Sequence, residues 1–383
     1  MIVNGIDQWC RAIYQVIQTH PAVIEKYLMH IHSGAKLRNI RYLCSDVQGF
    51  FKVNASFTSA LLRWFAANGR ELPWRGINDP YGIWVSEVIL QQTRIDQGTD
   101  YWLRFMERYP TVEALAAASE DDVLHLWQGL GYYSRARNMH VAARQIVEQG
   151  GFPRSIKGLL ALKGVGDYIA AAVGSMAFGL PAAVVDGNVY RVLARQFGID
   201  VPINTTRGKR VFTELAQELL PAQEAGTFNQ ALMDFGAICC TPLSPHCDEC
   251  PVAMTCEALR TGRVAALPVK ERKHAVKERR MAYIYIRHQG KTAIHRRGEG
   301  DIWQGLWEPV LVEEAPLPDW DCGLELIASN VKHVLTHRRL IADFYLAEPA
   351  NRPVLPADFI WIDEQDLEKY AVPRLVEKLL GLL

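Results

Sequence analysis

Two carboxylates and a crowd of cysteines carry the chemistry that the residue types and spacings of this chain suggest. Glu87 sits in YGIWVSEVILQQTR. On a helix through that segment it lies one turn from Ile83 and Trp84 on one side and from Leu90 and Gln91 on the other. An ionisable group then shares an apolar stripe, where desolvation raises a carboxyl's pKa toward a working pH and suits it to give up a proton. The same pattern also describes a glutamate at the margin of a core. Asp186, in VVDGNV, falls at the amino-terminal edge of a helix starting near Val189, where backbone N–H groups keep a carboxylate ionised. Read locally, it is a plain helix cap.

Of the eight cysteines, Cys239, Cys240, Cys247, Cys250 and Cys256 crowd into one short segment. That pattern indicates metal rather than scattered disulfides. Four thiolates there can surround one centre, and thiolate type alone leaves zinc and an iron–sulfur cluster both open. Cys239, beside Cys240, reads as a buried free thiol.

The elements that must position these groups follow from punctuation and periodicity. FTSALLRWFAANGRELPWR reads as an amphipathic helix ended by Gly69. Ser119 is a cap before EDDV. In LKGVGDY, Gly164 and Gly166 allow a turn whose backbone amides suit a phosphate; Asp167 opens the next helix, and Gly179 and Pro181 close it. In GLGYYSRAR, two aromatics beside Arg135 and Arg137 could stack on bases while the guanidinia meet phosphates. Tyr132 is the better candidate for DNA and Tyr133 for the core. LPVKERKHAVKERRM concentrates charge and reads as a tether. MAYIYIRH and KTAIHRR then form a strand pair with a turn at Gln289-Gly290, opening an α+β domain.

Composition sets limits. Lys plus Arg equals Asp plus Glu at 42 each in 383 residues, so a nucleic-acid surface must be a local patch. That length has room for two or three domains. The longest uncharged run, Tyr168 to Val185, is broken by Gly179 and Pro181 and reads as a buried helix and loop rather than a membrane span. No secretory signal is visible, and a cytoplasmic location is expected. Residues 1–55 carry two weak helical patterns and no interpretable motif.

LKGVG, a small-residue helix and VDGNV together resemble the helix-hairpin-helix and catalytic-aspartate segment of the DNA glycosylases related to endonuclease III. LPWR with WVSEVILQQT, and later IWQGLWEPV and KHVLTHRRL, resemble the MutY family of adenine DNA glycosylases, so that the likeness runs over residues 57–365. The resemblance implies a mainly α fold: a helix-hairpin-helix glycosylase domain over 56–265 with a 4Fe-4S cluster loop at 240–256. A linker at 266–280 and a C-terminal α+β, Nudix-like 8-oxoguanine recognition domain at 281–383 follow; residues 1–55 are an extension without assigned role. It implies that Glu87 is the catalytic acid and Asp186 the stabiliser of a positive sugar, with Asn188 and Tyr168 beside them. Gln91, Gln92 and Thr93 would wedge into the duplex, and Tyr132 would sit next to 8-oxoguanine. Backbone at Leu162, Gly164, Val165 and Gly166 would hold a phosphate, and Thr336 and His337 would belong to the lesion-reading loop, where Leu335 replaces an aromatic. The spacing Cys240-x6-Cys247-x2-Cys250-x5-Cys256 resembles the family's 4Fe-4S site.

Strand-cleaving relatives of endonuclease III carry lysine where this chain has Tyr168, and a tyrosine cannot form an imine with the opened sugar. The resemblance therefore implies a monofunctional glycosylase. The acidic Nudix helix is missing after Trp307, so the tail is expected to bind and not to hydrolyse nucleotides. The expected partner is double-stranded DNA with A:8-oxoG or A:G mispairs, read by a monomer without a membrane. A pyrimidine glycosylase like endonuclease III is opposed by Tyr168 and the tail; a catalytically silent damage binder is opposed by Glu87 and Asp186.

Overall fold

The computed structural model describes residues 56–271, 277–335 and 338–383. The extension 1–55, and Thr336 and His337 of the expected lesion-reading loop, lie outside the described residues. Helices run in the order α1 (56–68), α2 (Pro80–Ile89), α3 (Ile95–Arg108), α4 (Val112–Ala117), α5 (Glu120–Leu126), α6 (Ser134–Glu148), α7 (Ile156–Leu160) and α8 (Asp167–Phe178). Next come α9 (Gly187–Phe197), α10 (Thr206–Leu219), α11 (Ala225–Asp234), a π turn over Phe235–Cys239 and the short α12 (Glu257–Arg260). Strands β1 (Lys277–Ile286), β2 (Lys291–Arg296), β3 (Trp307–Glu308), β4 (Val310–Val312), β5 (Leu324–Val334), β6 (Arg338–Ala347) and β7 (Phe359–Asp363) precede α13 (Arg374–Leu380). The chain divides into two compact units, Met1–Glu71 with Ala171–Glu271 and Leu72–Ala170 with Arg272–Leu383.

In the second of these units α2 is the element that matters most. Asp79 caps it, accepting from Tyr81 N at 3.1 Å and Gly82 N at 2.9 Å, and Pro80 opens its first turn, where a missing N–H costs nothing. Every residue from Tyr81 to Ile89 is buried, as expected of a helix that is apolar nearly all round. Trp102 seals it by donating Nε1 to Gly82 O at 2.9 Å. The helix stops at Ile89, earlier than the periodicity through Gln91 predicts, and Gln92 takes a left-handed φ of 62°. Ser119 caps α5 as its position predicts, accepting from Asp122 N at 3.1 Å.

The same unit holds two sheets, ordered β4-β1-β6-β5 and β3-β2-β7. β1 and β6 are parallel and the other pairs antiparallel. Gln289 and Gly290, with φ of 50° and 72°, make the tight turn between β1 and β2. β1 begins at Lys277, inside the segment read as a tether, because Lys277 to Arg280 pair in register with Arg338 to Ile341. Its charges are not all solvated: Arg279 binds both Asp301 and Glu313 at 2.6 Å. Met281, Tyr283 and Tyr285 face a core with Phe344, Leu375 and Leu379, while Ile284 and Ile286 face a second one. No helix lies between β3 and β5 among the described residues.

In the other unit, Phe57 and Leu61 of α1 pack with Val192, Leu193, Phe212, Phe228 and Leu232. Thr58 Oγ1 donates to Leu219 O at 3.0 Å, and Arg70 N and Nε donate to the fully buried Asp234 carboxylate at 3.0 and 2.9 Å. Among the described residues, no helix is long and apolar enough to cross a membrane.

Candidate active site

Glu87, on α2, is 5% exposed, and the Tyr168 hydroxyl donates to its Oε2 at 2.5 Å. Tyr168 stands in the first turn of α8, directly behind the hairpin turn, so the hairpin also aims the phenol. Gly164 turns there with φ 77°, and a Cβ would lie 2.6 Å from Asn138 Cβ; both the angle and the neighbour demand glycine. Gly164 and Gly166 are exposed. Leu162 and Val165 depart from the expected phosphate cradle. Their side chains are buried, and their N–H groups already donate to Leu159 O and Leu162 O, both at 3.1 Å. The turn needs these bonds to close, which leaves them inside it.

Tyr132 is 48% exposed with a left-handed φ of 48°, whereas Tyr133 is buried and donates its hydroxyl to Val372 O at 3.5 Å. Gln91 and Thr93 flank the left-handed Gln92 in the loop after α2. Arg135 and Arg137, read as phosphate contacts, both turn inward. Arg135 donates to five carbonyls, including Val88 O at 2.9 Å and Ile89 O at 3.2 Å, which the helix end leaves unsatisfied. Burial lowers its pKa to about 10. Arg137 donates to Gln304 O and, at 3.4 Å, to Gln304 Oε1.

Asp186 belongs to the other unit. It is the N-cap of α9: Oδ1 accepts from Val189 N at 2.7 Å and Oδ2 from Asn188 Nδ2 at 2.8 Å. Burial nevertheless raises its pKa above the ordinary carboxylate range, against the opposing pull of these donors and of Arg191. Backbone donors alone therefore do not set its charge. Asn188 Oδ1 accepts in turn from Arg191 Nη2 at 2.8 Å, and Arg191 also donates to Gly236 O at 2.6 Å and to Cys240 O at 2.7 Å. Gly236 has no room for a side chain, since its Cβ would lie 2.6 Å from Asn188 Cβ.

Cys239, Cys240, Cys247, Cys250 and Cys256 line one cavity of about 30 Å³. Arg195, 3% exposed, shapes its wall by donating to Val264 O, Leu267 O, Thr241 O and Pro242 O at 2.7 to 3.1 Å and to Cys240 Sγ at 3.4 Å. Cys239 is buried and its thiol hydrogen-bonds to Cys250, holding Cys250 below and itself above the usual thiol range. Among the described residues, no group of three or more His, Cys, Asp or Glu could hold a single metal ion.

Sequence reasoning passed over the residues that pin the approach to Asp186. Asn229, fully buried on α11, accepts from Val184 N at 3.0 Å and donates to Ala182 O and Ser175 Oγ at 2.8 Å. Gln217 accepts from Ala183 N at 3.0 Å and donates to Pro181 O at 2.9 Å. The available signal was a polar amide inside the apolar run FNQALMDF.

The HhH-GPD superfamily of base excision DNA repair proteins matches residues 85–220, and the NUDIX domain matches 281–382. An adenine DNA glycosylase of Buchnera aphidicola subsp. Baizongia pistaciae is 31% identical over 295 residues, covering 74% of this chain and 84% of the relative. The chain belongs to the adenine DNA glycosylase family. Its counterpart in B. aphidicola subsp. Schizaphis graminum is 29% identical over 348 residues, 85% of this chain and 98% of the relative. Among solved structures, a thermostable thymine-DNA glycosylase is 32% identical with a TM-score of 0.52, covering 55% of this chain and 99% of its own. This family member is thus a DNA glycosylase of base excision repair, with a helix-hairpin-helix glycosylase fold followed by a Nudix-like C-terminal domain.

Proposed function

We propose that this adenine DNA glycosylase acts on double-stranded DNA, releasing adenine mispaired with 8-oxoguanine and, with lower selectivity, adenine opposite guanine, without cleaving the strand. The observation that carries the reading is the enclosed Glu87 carboxyl with the Tyr168 hydroxyl on its Oε2. The adenine leaves the stack, because its glycosidic bond is out of reach inside the duplex. Glu87 protonates a ring nitrogen, the bond breaks with oxocarbenium character, and the electron pair leaves with the base. Asp186, oriented by Asn188, stabilises the sugar cation, and that cation in turn favours the ionised carboxylate. Water adds to the sugar carbon and loses a proton. With tyrosine at position 168, no imine links enzyme and sugar.

Gln91, Gln92, Thr93 and Tyr132 serve the duplex around the flipped base, the exposed backbone at Gly164 and Gly166 serves a phosphate, and Thr336 and His337 serve lesion reading. Cys240, Cys247, Cys250 and Cys256, which line one cavity, would hold a 4Fe-4S cluster. The cluster would supply a cross-link that shapes the loop. The enzyme works as a monomer in the cytoplasm.

The test is single-turnover adenine release from duplexes with adenine opposite 8-oxoguanine, guanine or thymine, with borohydride added in parallel. Fast release opposite 8-oxoguanine, slower release opposite guanine, none opposite thymine and no trapped adduct are expected. Equal release from all three duplexes, or a borohydride-trapped adduct, overturns the reading.

A further inference from the structure

We infer that Arg135 is a positioning residue that couples the loop after α2 to the loop carrying Tyr132, so that one guanidinium sets both adenine extrusion and discrimination of the opposite base. The inference rests on the proposed function. One terminal nitrogen serves each loop. Nη1 donates to Val88 O at 2.9 Å, Ile89 O at 3.2 Å and Gln91 O at 2.5 Å; Nη2 donates to Leu130 O at 3.4 Å and Gly131 O at 3.3 Å.

In each loop the residue after the last of these acceptors is a non-glycine in the left-handed region. Gln92, φ 62°, follows Gln91, and Tyr132, φ 48°, follows Gly131. Such residues persist only where the surroundings fix the backbone. The guanidinium also lies 5.5 Å from the Tyr132 ring centroid and 5.3 Å from that of Trp127, whose Nε1 donates to Gly131 O at 3.0 Å. The planar fork thus spans two chain segments at once. A lysine, with its donors on a single nitrogen, can serve one segment and not both.

The consequence is a shared register. A shift of the Tyr132 loop moves Nη2, and through the rigid guanidinium Nη1, and so changes how the Gln91 carbonyl and the Gln92 backbone are held. Pairing with the wrong opposite base is then felt at the loop that extrudes adenine.

The experiment is single-turnover release by the full chain from duplexes with 8-oxoguanine or guanine opposite adenine, with 2-aminopurine beside the adenine reporting unstacking. Wild type that releases no adenine sinks the functional reading itself, whatever Arg135 does. With wild type active, Arg135→Gln is expected to lower the rate constant on the order of a hundred-fold and Arg135→Lys about tenfold. Both variants should narrow the 8-oxoguanine to guanine rate ratio and blunt the 2-aminopurine rise. A merely structural role would reduce the reactive fraction and leave the rate constant and ratio of the remainder unchanged. That outcome for Arg135→Gln overturns the inference; if Arg135→Gln does not fold, Arg135→Lys decides, and a wild-type rate constant and ratio there overturns it equally.

Discussion

Glu87 is carried inside a helix buried from Tyr81 to Ile89, and its carboxyl meets a phenol; Asp186 stands at the start of a helix, and its carboxyl meets backbone and amide N–H groups. One acid is held by enclosure, with the Tyr168 hydroxyl on one of its oxygens. The other is held by directed donors on both oxygens, which oppose the cost of burying its charge. The contrast suits a division of labour in which one group delivers a proton and the other faces a cation. It also separates their supports: enclosure comes with the burial of the whole helix from Tyr81 to Ile89, whereas the donors depend on how residues 182 to 189 are pinned.

The sharpest break in this comparison is Glu87→Gln, which keeps the shape and removes the acid. Adenine release should fall roughly a hundred- to ten-thousand-fold while duplex binding persists, as a gel-shift titration beside a single-turnover assay would show. Asp186→Asn should cost roughly a hundred- to thousand-fold in the same assay. Asparagine is as good a cap as aspartate, so the melting temperature should hold; a large drop would recast Asp186 as a structural cap. Asn229→Ala strips donors and acceptor from the approach to Asp186 and should cost about 1–3 kcal/mol of stability in denaturant unfolding, an effect absent from the Glu87 side. Tyr168→Phe should slow release about tenfold by removing the phenol hydroxyl from Glu87 Oε2, with stability nearly unchanged. No change in rate would show that the phenol only packs.

Much of this was legible in the residues because it is local. Asp186 as a cap, Gly164 at a left-handed turn, Gly179 after α8 and Ser119 before α5 are all decided within a few positions of chain. What escaped depends on partners far away in sequence. Arg135 and Arg137 look like surface cations until the carbonyls at the end of α2 and at Gln304 claim them. Charged Lys277 to Arg280 looks like a tether until β6, some sixty residues on by the pairing of Lys277 with Arg338, offers a parallel edge. Asn229 and Gln217 carry no motif; only the extended segment they pin gives them a purpose. Apolar periodicity runs past the true end of α2, because it does not register that Arg135 draws away the carbonyls of Val88 and Ile89.

Gly236 narrows what mutation can explore. Its backbone angle asks nothing unusual, yet a single added methyl would sit 2.6 Å from Asn188 Cβ and push aside the residue that orients the Asp186 carboxylate. A substitution there would reach Asp186 through Asn188, from a position only four residues before Cys240. If Asp186 acts as proposed, variation at this site would be filtered for activity, although the side chain's part there is only the space it leaves empty.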